Sequence, residues 1–108
     1  MDASAYFKGK RITVMGLGLL GRSVGDAEYL ASCGAILTIT DLKTHEELAE
    51  SLARLSPFSS IEYVLGEHRL SDFENKDLIL ESAGVPLESP YIAHAKASGV
   101  PVRMSADL

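Results

Sequence analysis

The chain has 108 residues with a formal net charge of −5 and 46% apolar residues, the size and make-up of one ordinary globular domain. The acidic balance predicts no basic face of the kind nucleic-acid binding needs and so weighs against that class, and no apolar run approaches the roughly 20 residues of a membrane-spanning helix. A lone cysteine, Cys33, forms no intrachain disulfide and points to a cytoplasmic home, and the opening "MDASAYFKGKR" has no apolar core of a secretory leader.

In chain order, "RITVM" (11–15) reads as a short strand that runs into glycine. Gly16, Gly18 and Gly21 follow as G-x-G-x-x-G, directly after a strand and at the opening of a helix, which is the context that gives this spacing meaning. Gly16 permits a tight turn, Gly18 lets backbone approach a pyrophosphate, and Gly21 lets helix and strand pack closely. The free amides of Leu19, Leu20 and Gly21 then face an anion, helped by the helix dipole. The plainer alternative is that the glycines serve packing alone. Leu20, Val24, Ala27 and Ala31 recur at helical spacing, and Gly34 supplies the stop.

"AILTIT" (35–40) is a buried strand ending at Asp41, 20 residues after Gly21. An acid there bonds ribose hydroxyls in dinucleotide domains, and Lys43 could meet a 2′-phosphate, so the pair does not select a nucleotide. It could also be a solvated charge pair at a helix entry. Thr44 and Glu47 form a capping box, with Leu48, Leu52 and Leu55 on one face of a second helix that Pro57 ends.

"IEYVL" (61–65) is a third strand, followed by "GEH" (66–68). Glu67 and His68 have no nameable catalytic partner there, and His68 reads as a local hydrogen-bonding residue. "RLSDFENK" (69–76) predicts one short helical turn, and "DLIL" (77–80) a fourth strand. "ESAGVPLESP" (81–90) then places Ser82, Gly84 and Pro86 where small residues allow a ligand to lie close, or where a stiff turn introduces the next helix. Ser89 and Pro90 are N-cap and first residue of a third helix, Gly99 ends it, and "VPVRM" (100–104) is an edge strand because of Pro101. His45 and His94 fall on helix surfaces, and no metal-ligand spacing, P-loop or nucleophile–base arrangement occurs in the sequence.

The order β-α-β-α-β-(turn)-β-α-β predicts an α/β, three-layer, Rossmann-like domain over 1–108, with a parallel five-stranded sheet and helices on both faces. In such sheets ligands bind outside the carboxyl ends of the strands. On the residues alone, a dinucleotide-binding domain, a sugar-nucleotide-binding domain and a module for assembly all stay open.

"GKRITVMGLGLLGRSV", "TDLK" and "ESAGVPLESPYIAHAKASGVPV" together resemble the N-terminal domain of the Mur ligases, of the MurD type, from about Phe7 to Leu108. The Ser-x-Gly-Val-Pro loop after the fourth strand separates this family from ordinary NAD domains. The resemblance implies a Rossmann-like fold that holds the UDP part of a UDP-N-acetylmuramoyl-L-alanine substrate, for a cytoplasmic bacterial ligase that adds D-glutamate in peptidoglycan precursor synthesis. It implies ATP and Mg²⁺ in the full-length ligase and no cofactor in this domain. A central ATPase domain and a C-terminal domain would lie elsewhere, "SADL" (105–108) leading toward them, and this segment would not itself be catalytic. Carried over, Gly16, Gly18, Leu19, Leu20 and Gly21 face the diphosphate. Asp41, Leu42 and Lys43 surround the uracil, and Ser82, Ala83 and Gly84 close the site. Leu20 stands where the family has Thr or Ser, and Ala83 where it has Pro, so the phosphate cradle relies on backbone amides. The alternative is an NAD(P)-binding Rossmann domain of a dehydrogenase or a ligand-gated regulator.

Overall fold

A computed structural model describes residues 6–17, 22–81 and 89–104, and of Arg22, Ser23 and Met104 the backbone only. Five strands alternate with helices: β1 (Arg11–Met15), α1 (Arg22–Ser32), β2 (Ile36–Asp41), α2 (Ala49–Leu55), β3 (Ile61–Leu65), a 3₁₀ turn (Leu70–Phe73), β4 (Leu78–Glu81), α3 (Pro90–Ala97) and β5 (Val102–Met104). All pairings are parallel, in the order β3-β2-β1-β4-β5. This is the expected α/β Rossmann-like sheet.

Beginning at β1, the chain steps outward to β2 and β3, then returns past β1 to β4 and β5. Crossovers between parallel strands are right-handed, so reversing the direction of travel puts the later helix on the opposite face. The core divides accordingly. Ile12, Val14, Leu37, Ile39, Leu78 and Leu80 pack with Val24, Ala27 and Leu30 of α1 and Leu55 of α2. Met15 and Ile79 pack on the other face with Phe73, Ile92, Ala95 and Val100. Between strands β1 and β4, at the carboxyl edge, lies the switch point where such folds take their ligands.

The two faces differ in chemistry. By strand alternation Thr13, Thr38, Thr40 and Glu81 share the face of Met15 and Ile79, and all four are buried. Two of these side chains are bonded to distant segments: the Thr13 hydroxyl donates to the Asp72 carbonyl (2.5 Å), and the Lys76 ammonium donates to the Thr38 hydroxyl (3.1 Å). Asp72 is itself held by both nitrogens of a forked Arg69 contact, at 2.8 and 2.9 Å, which fixes the 3₁₀ turn.

Local signals act as the sequence indicates. Gly34 ends α1 with φ +87°, the Ala35 amide returning to the Leu30 carbonyl (3.1 Å). The Thr44–Glu47 capping box closes in both directions, at 3.0 and 3.3 Å, although regular α-helix begins only at Ala49. Ser89 caps α3 by accepting from the Tyr91 amide (3.2 Å). Strand β4 lies one residue later than "DLIL" indicates: Asp77 instead caps the edge of β1, accepting the Arg11 amide on its carboxylate (2.8 Å), while Glu81 pairs with Met15. Among the described residues no helix is long and apolar enough to cross a membrane.

Candidate functional site

Residue Gly16 leaves β1 in the left-handed region, φ +87°, with its amide donating to the Thr40 carbonyl of β2 (2.7 Å). Only glycine adopts this backbone without penalty, so the chain turns over the carboxyl end of β2 at this residue. Leu17 follows, its side chain buried against the α1 face.

Directly beneath that turn, Asp41 ends β2 and is only 6% exposed. One carboxylate oxygen, Oδ2, accepts the Leu17 amide (2.8 Å), and Oδ1 accepts the Lys43 amide (2.9 Å). The backbone of Asp41 is engaged as well. Its carbonyl accepts the Gly66 amide (2.8 Å), which also reaches the Lys43 carbonyl (3.0 Å), and Asp41 bridges to Glu67. Gly66 makes this crossing with φ +82°. Asp41 thus joins the exits of β1, β2 and β3. Leu42, at the crest of its loop, is 67% exposed, and Lys43 beside it is half-buried.

The structure therefore brings Gly16, Asp41, Leu42 and Lys43 to one edge. Gly18, Leu19, Leu20 and Gly21, and Ser82, Ala83 and Gly84, lie outside the described residues.

Three further side chains at this edge escaped the sequence reading as a group. His68 Nδ1 and Thr40 Oγ1 share a hydrogen bond of 2.9 Å, and the ring meets Phe73 and Tyr91 edge-on. Burial pushes the His68 pKa below its ordinary 6.5, with the Asp41 charge opposing to a lesser degree. Glu81, at the end of β4, is 3% exposed, and its Oε2 has no hydrogen-bond partner among the described residues. Burial raises its pKa above 4.5, against a smaller pull from the Lys96 charge. Only the alternation of β4 could have placed Glu81 inside. Elsewhere His45 is exposed, and His94 bonds Glu74 through Nε2 (2.7 Å).

A cavity of about 300 Å³ opens at the opposite end of the sheet, between Phe7, Lys10, Asp77, Pro101 and Arg103. It lies at the amino ends of the strands, where parallel α/β sheets do not place their ligand sites. Among the described residues no three His, Cys, Asp or Glu side chains gather as a metal site.

The family described as "Mur ligase MurD-like, N-terminal domain" matches residues 10–104. The chain belongs to the MurD-like N-terminal domain family. Among curated relatives, a UDP-N-acetylmuramoylalanine–D-glutamate ligase of Treponema pallidum is 38% identical over 99% of this chain and 20% of its own length. Another, of Roseiflexus, is 42% identical over 89% of this chain and again 20% of its own length. This MurD-like domain therefore spans about a fifth of the relatives it matches. Among solved structures, SirC, a precorrin-2 dehydrogenase, superposes with TM-score 0.59 at 16% identity, covering 94% of this chain and 47% of that one. That likeness establishes the Rossmann-like fold alone. Within the MurD-like frame, the Gly16 turn and the Asp41–Lys43 loop are the sequence-predicted site segments that fall among the described residues.

Proposed function

We propose that this domain holds the UDP moiety of UDP-N-acetylmuramoyl-L-alanine for a Mur ligase that adds D-glutamate in peptidoglycan precursor synthesis. The observation that carries the reading is the junction of the Gly16 turn with the Asp41–Lys43 loop at the carboxyl edge of a MurD-like domain. In this reading Gly18, Leu19, Leu20 and Gly21 offer backbone to the diphosphate, whose charge favours amides at the start of α1, and Gly16, its own amide bonded to the Thr40 carbonyl, contributes the turn at the end of β1. Asp41, Leu42 and Lys43 surround the uracil, with the exposed Leu42 giving apolar cover. Ser82, Ala83 and Gly84 close the site from the end of β4.

The work of this domain is binding and orientation. ATP and Mg²⁺ belong to the remainder of the ligase, where they activate the substrate carboxylate as an acyl phosphate for attack by the amino acid. No catalytic step is assigned to residues of this chain. The enzyme operates in the bacterial cytoplasm, where its nucleotide substrates are.

Thermal unfolding with UDP-N-acetylmuramoyl-L-alanine, UDP and NADH in parallel tests the reading. A ligand that binds only the folded state stabilises it by RT ln(1 + [L]/Kd), so millimolar ligand reveals a weak site. Stabilisation by both uridine compounds is expected. Stabilisation by NADH alone overturns the assignment.

A further inference from the structure

We propose that the cavity at the amino ends of the strands is a second binding site, separate from the carboxyl edge, for a free α-amino acid with an aromatic side chain. The switch-point rule concerns the nucleotide site of such sheets. This cavity owes its chemistry to side chains, and it stands whether or not the UDP reading does.

Three parts of the chain build it. The floor is the paired Ile12 of β1 and Leu78 of β4, both buried. One wall is the segment ahead of β1, where the rings of Tyr6 and Phe7 meet edge to face with centroids 5.0 Å apart. Backbone bonds fix that wall: the Gly9 amide donates to the Gly34 carbonyl (2.9 Å) and the Lys10 amide to the Phe7 carbonyl (3.0 Å). The opposite wall is the edge strand β5, which brings Arg103. Arg103 pairs in register with Leu80, so by strand alternation it lies on the face of Leu78 and Leu80, where an apolar residue would continue the layer. The space of about 300 Å³ is at the low end of small-molecule pockets, a size suited to one amino acid.

The charges select among small molecules. Lys10 and Arg103 both line the cavity, and neither is in an ion pair with a described residue. The Lys10 ammonium is held 5.5 Å over the Tyr6 ring instead. Asp77, the carboxylate in the lining, accepts the Arg11 amide on Oδ2 (2.8 Å), and its Oδ1 has no hydrogen bond to a described residue. Two cations without a counter-charge call for a carboxylate, which a guanidinium takes bidentately. A free acceptor oxygen in the same lining calls for an ammonium. The apolar floor and the two rings call for an aromatic body, stacked offset or edge-on. An aromatic α-amino acid carries all three groups on one carbon.

An NMR titration of the 108-residue chain with L-phenylalanine, phenylalaninamide, N-acetyl-L-phenylalanine and glycine tests the assignment. Millimolar L-phenylalanine should shift the resonances of Phe7, Ile12 and Leu78. The amide, which lacks the carboxylate, and glycine, which lacks the ring, should bind at least about fivefold more weakly. The N-acetyl derivative, which lacks the ammonium, should bind at least about threefold more weakly. Arg103→Gln, at an exposed position, should weaken phenylalanine by about threefold or more. Asp77→Asn should weaken phenylalanine by a similar factor and change the N-acetyl derivative less than about twofold, a split that a merely structural role of Asp77 does not produce. Should Asp77→Asn not fold, the wild-type comparison of phenylalanine with its N-acetyl derivative decides. No shifts with phenylalanine, or shifts at Gly16 and Asp41 in place of the cavity, overturn the proposal. So does binding of any of the other three compounds as tight as that of phenylalanine, or an affinity unchanged by Arg103→Gln.

Discussion

The His68 imidazole is hydrogen-bonded to the Thr40 hydroxyl, Nδ1 to Oγ1 at 2.9 Å, across 28 residues of chain. The bond fastens the loop after β3 to the inner face of β2, one residue before Asp41. Burial lowers the His68 pKa, so the folded state takes up a proton less readily than the unfolded chain. The stabilising contribution is therefore full above the unfolded value near 6.5 and is lost as pH falls through the lower, folded value. Melting temperature should drop as pH is lowered below 6.5, and His68→Gln should flatten that slope. Parallel curves for the two proteins would show that His68 does not contribute to it.

Glu81 has the opposite sign. Burial raises its pKa, so its contribution is best below about 4.5 and is lost as pH rises through the folded value. Glu81→Gln mimics the protonated acid. Chemical denaturation should show the variant gaining on wild type from pH 4.5 to 7.5, by about 1 kcal/mol at the upper end, the low end of the cost of an unsatisfied buried polar group. A difference independent of pH would rule this account out.

Leu42 is 67% exposed, an apolar side chain held at the crest of the loop after β2. Its replacement should cost the fold little. Leu42→Ser is expected to change unfolding free energy by no more than about 0.5 kcal/mol, as exposed substitutions do. It should weaken UDP about fivefold, or about 1 kcal/mol for a leucine partly covered by ligand. Unchanged UDP affinity by calorimetry would remove Leu42 from the site.

Two glycines should respond to alanine in opposite directions. Gly16 has φ +87°, where a Cβ crowds the carbonyl, so Gly16→Ala should destabilise by about 1–2 kcal/mol. Gly25 lies within α1, and a Cβ built there meets nothing within 4 Å. Gly25→Ala should stabilise by about 0.5–1 kcal/mol, through helix propensity. Urea unfolding of both variants checks the pair.

The order of elements was legible because period and punctuation agree: Gly34 stops α1, Thr44 and Glu47 cap each other, and Ser89 with Pro90 starts α3. The G-x-G-x-x-G run likewise placed the Gly16 turn at the right edge of the sheet. What sequence could not supply was direction. Spacing put Asp41 beside the glycine loop, but a carboxylate aimed at ligand and one aimed at backbone amides have the same spacing, and only the Leu17 and Lys43 contacts distinguish them. Nor could it separate Thr38 and Thr40 from the apolar residues of "AILTIT". Threonine satisfies strand propensity equally well, and its partners Lys76 and His68 come from distant segments.

The unequal faces of the sheet have a kinetic consequence. The side carrying Thr13, Thr38, Thr40 and Glu81 is covered by a 3₁₀ turn of four residues and a helix of eight. The other side has two helices packed on an apolar layer. Partial opening takes place where the least apolar contact must be broken. The domain should breathe by lifting α3 from the sheet, and α1 should stay protected until global unfolding. A ligand bridging β1 and β4 would suppress that breathing, so binding should register as slower amide exchange in α3, a helix that need not touch the ligand at all.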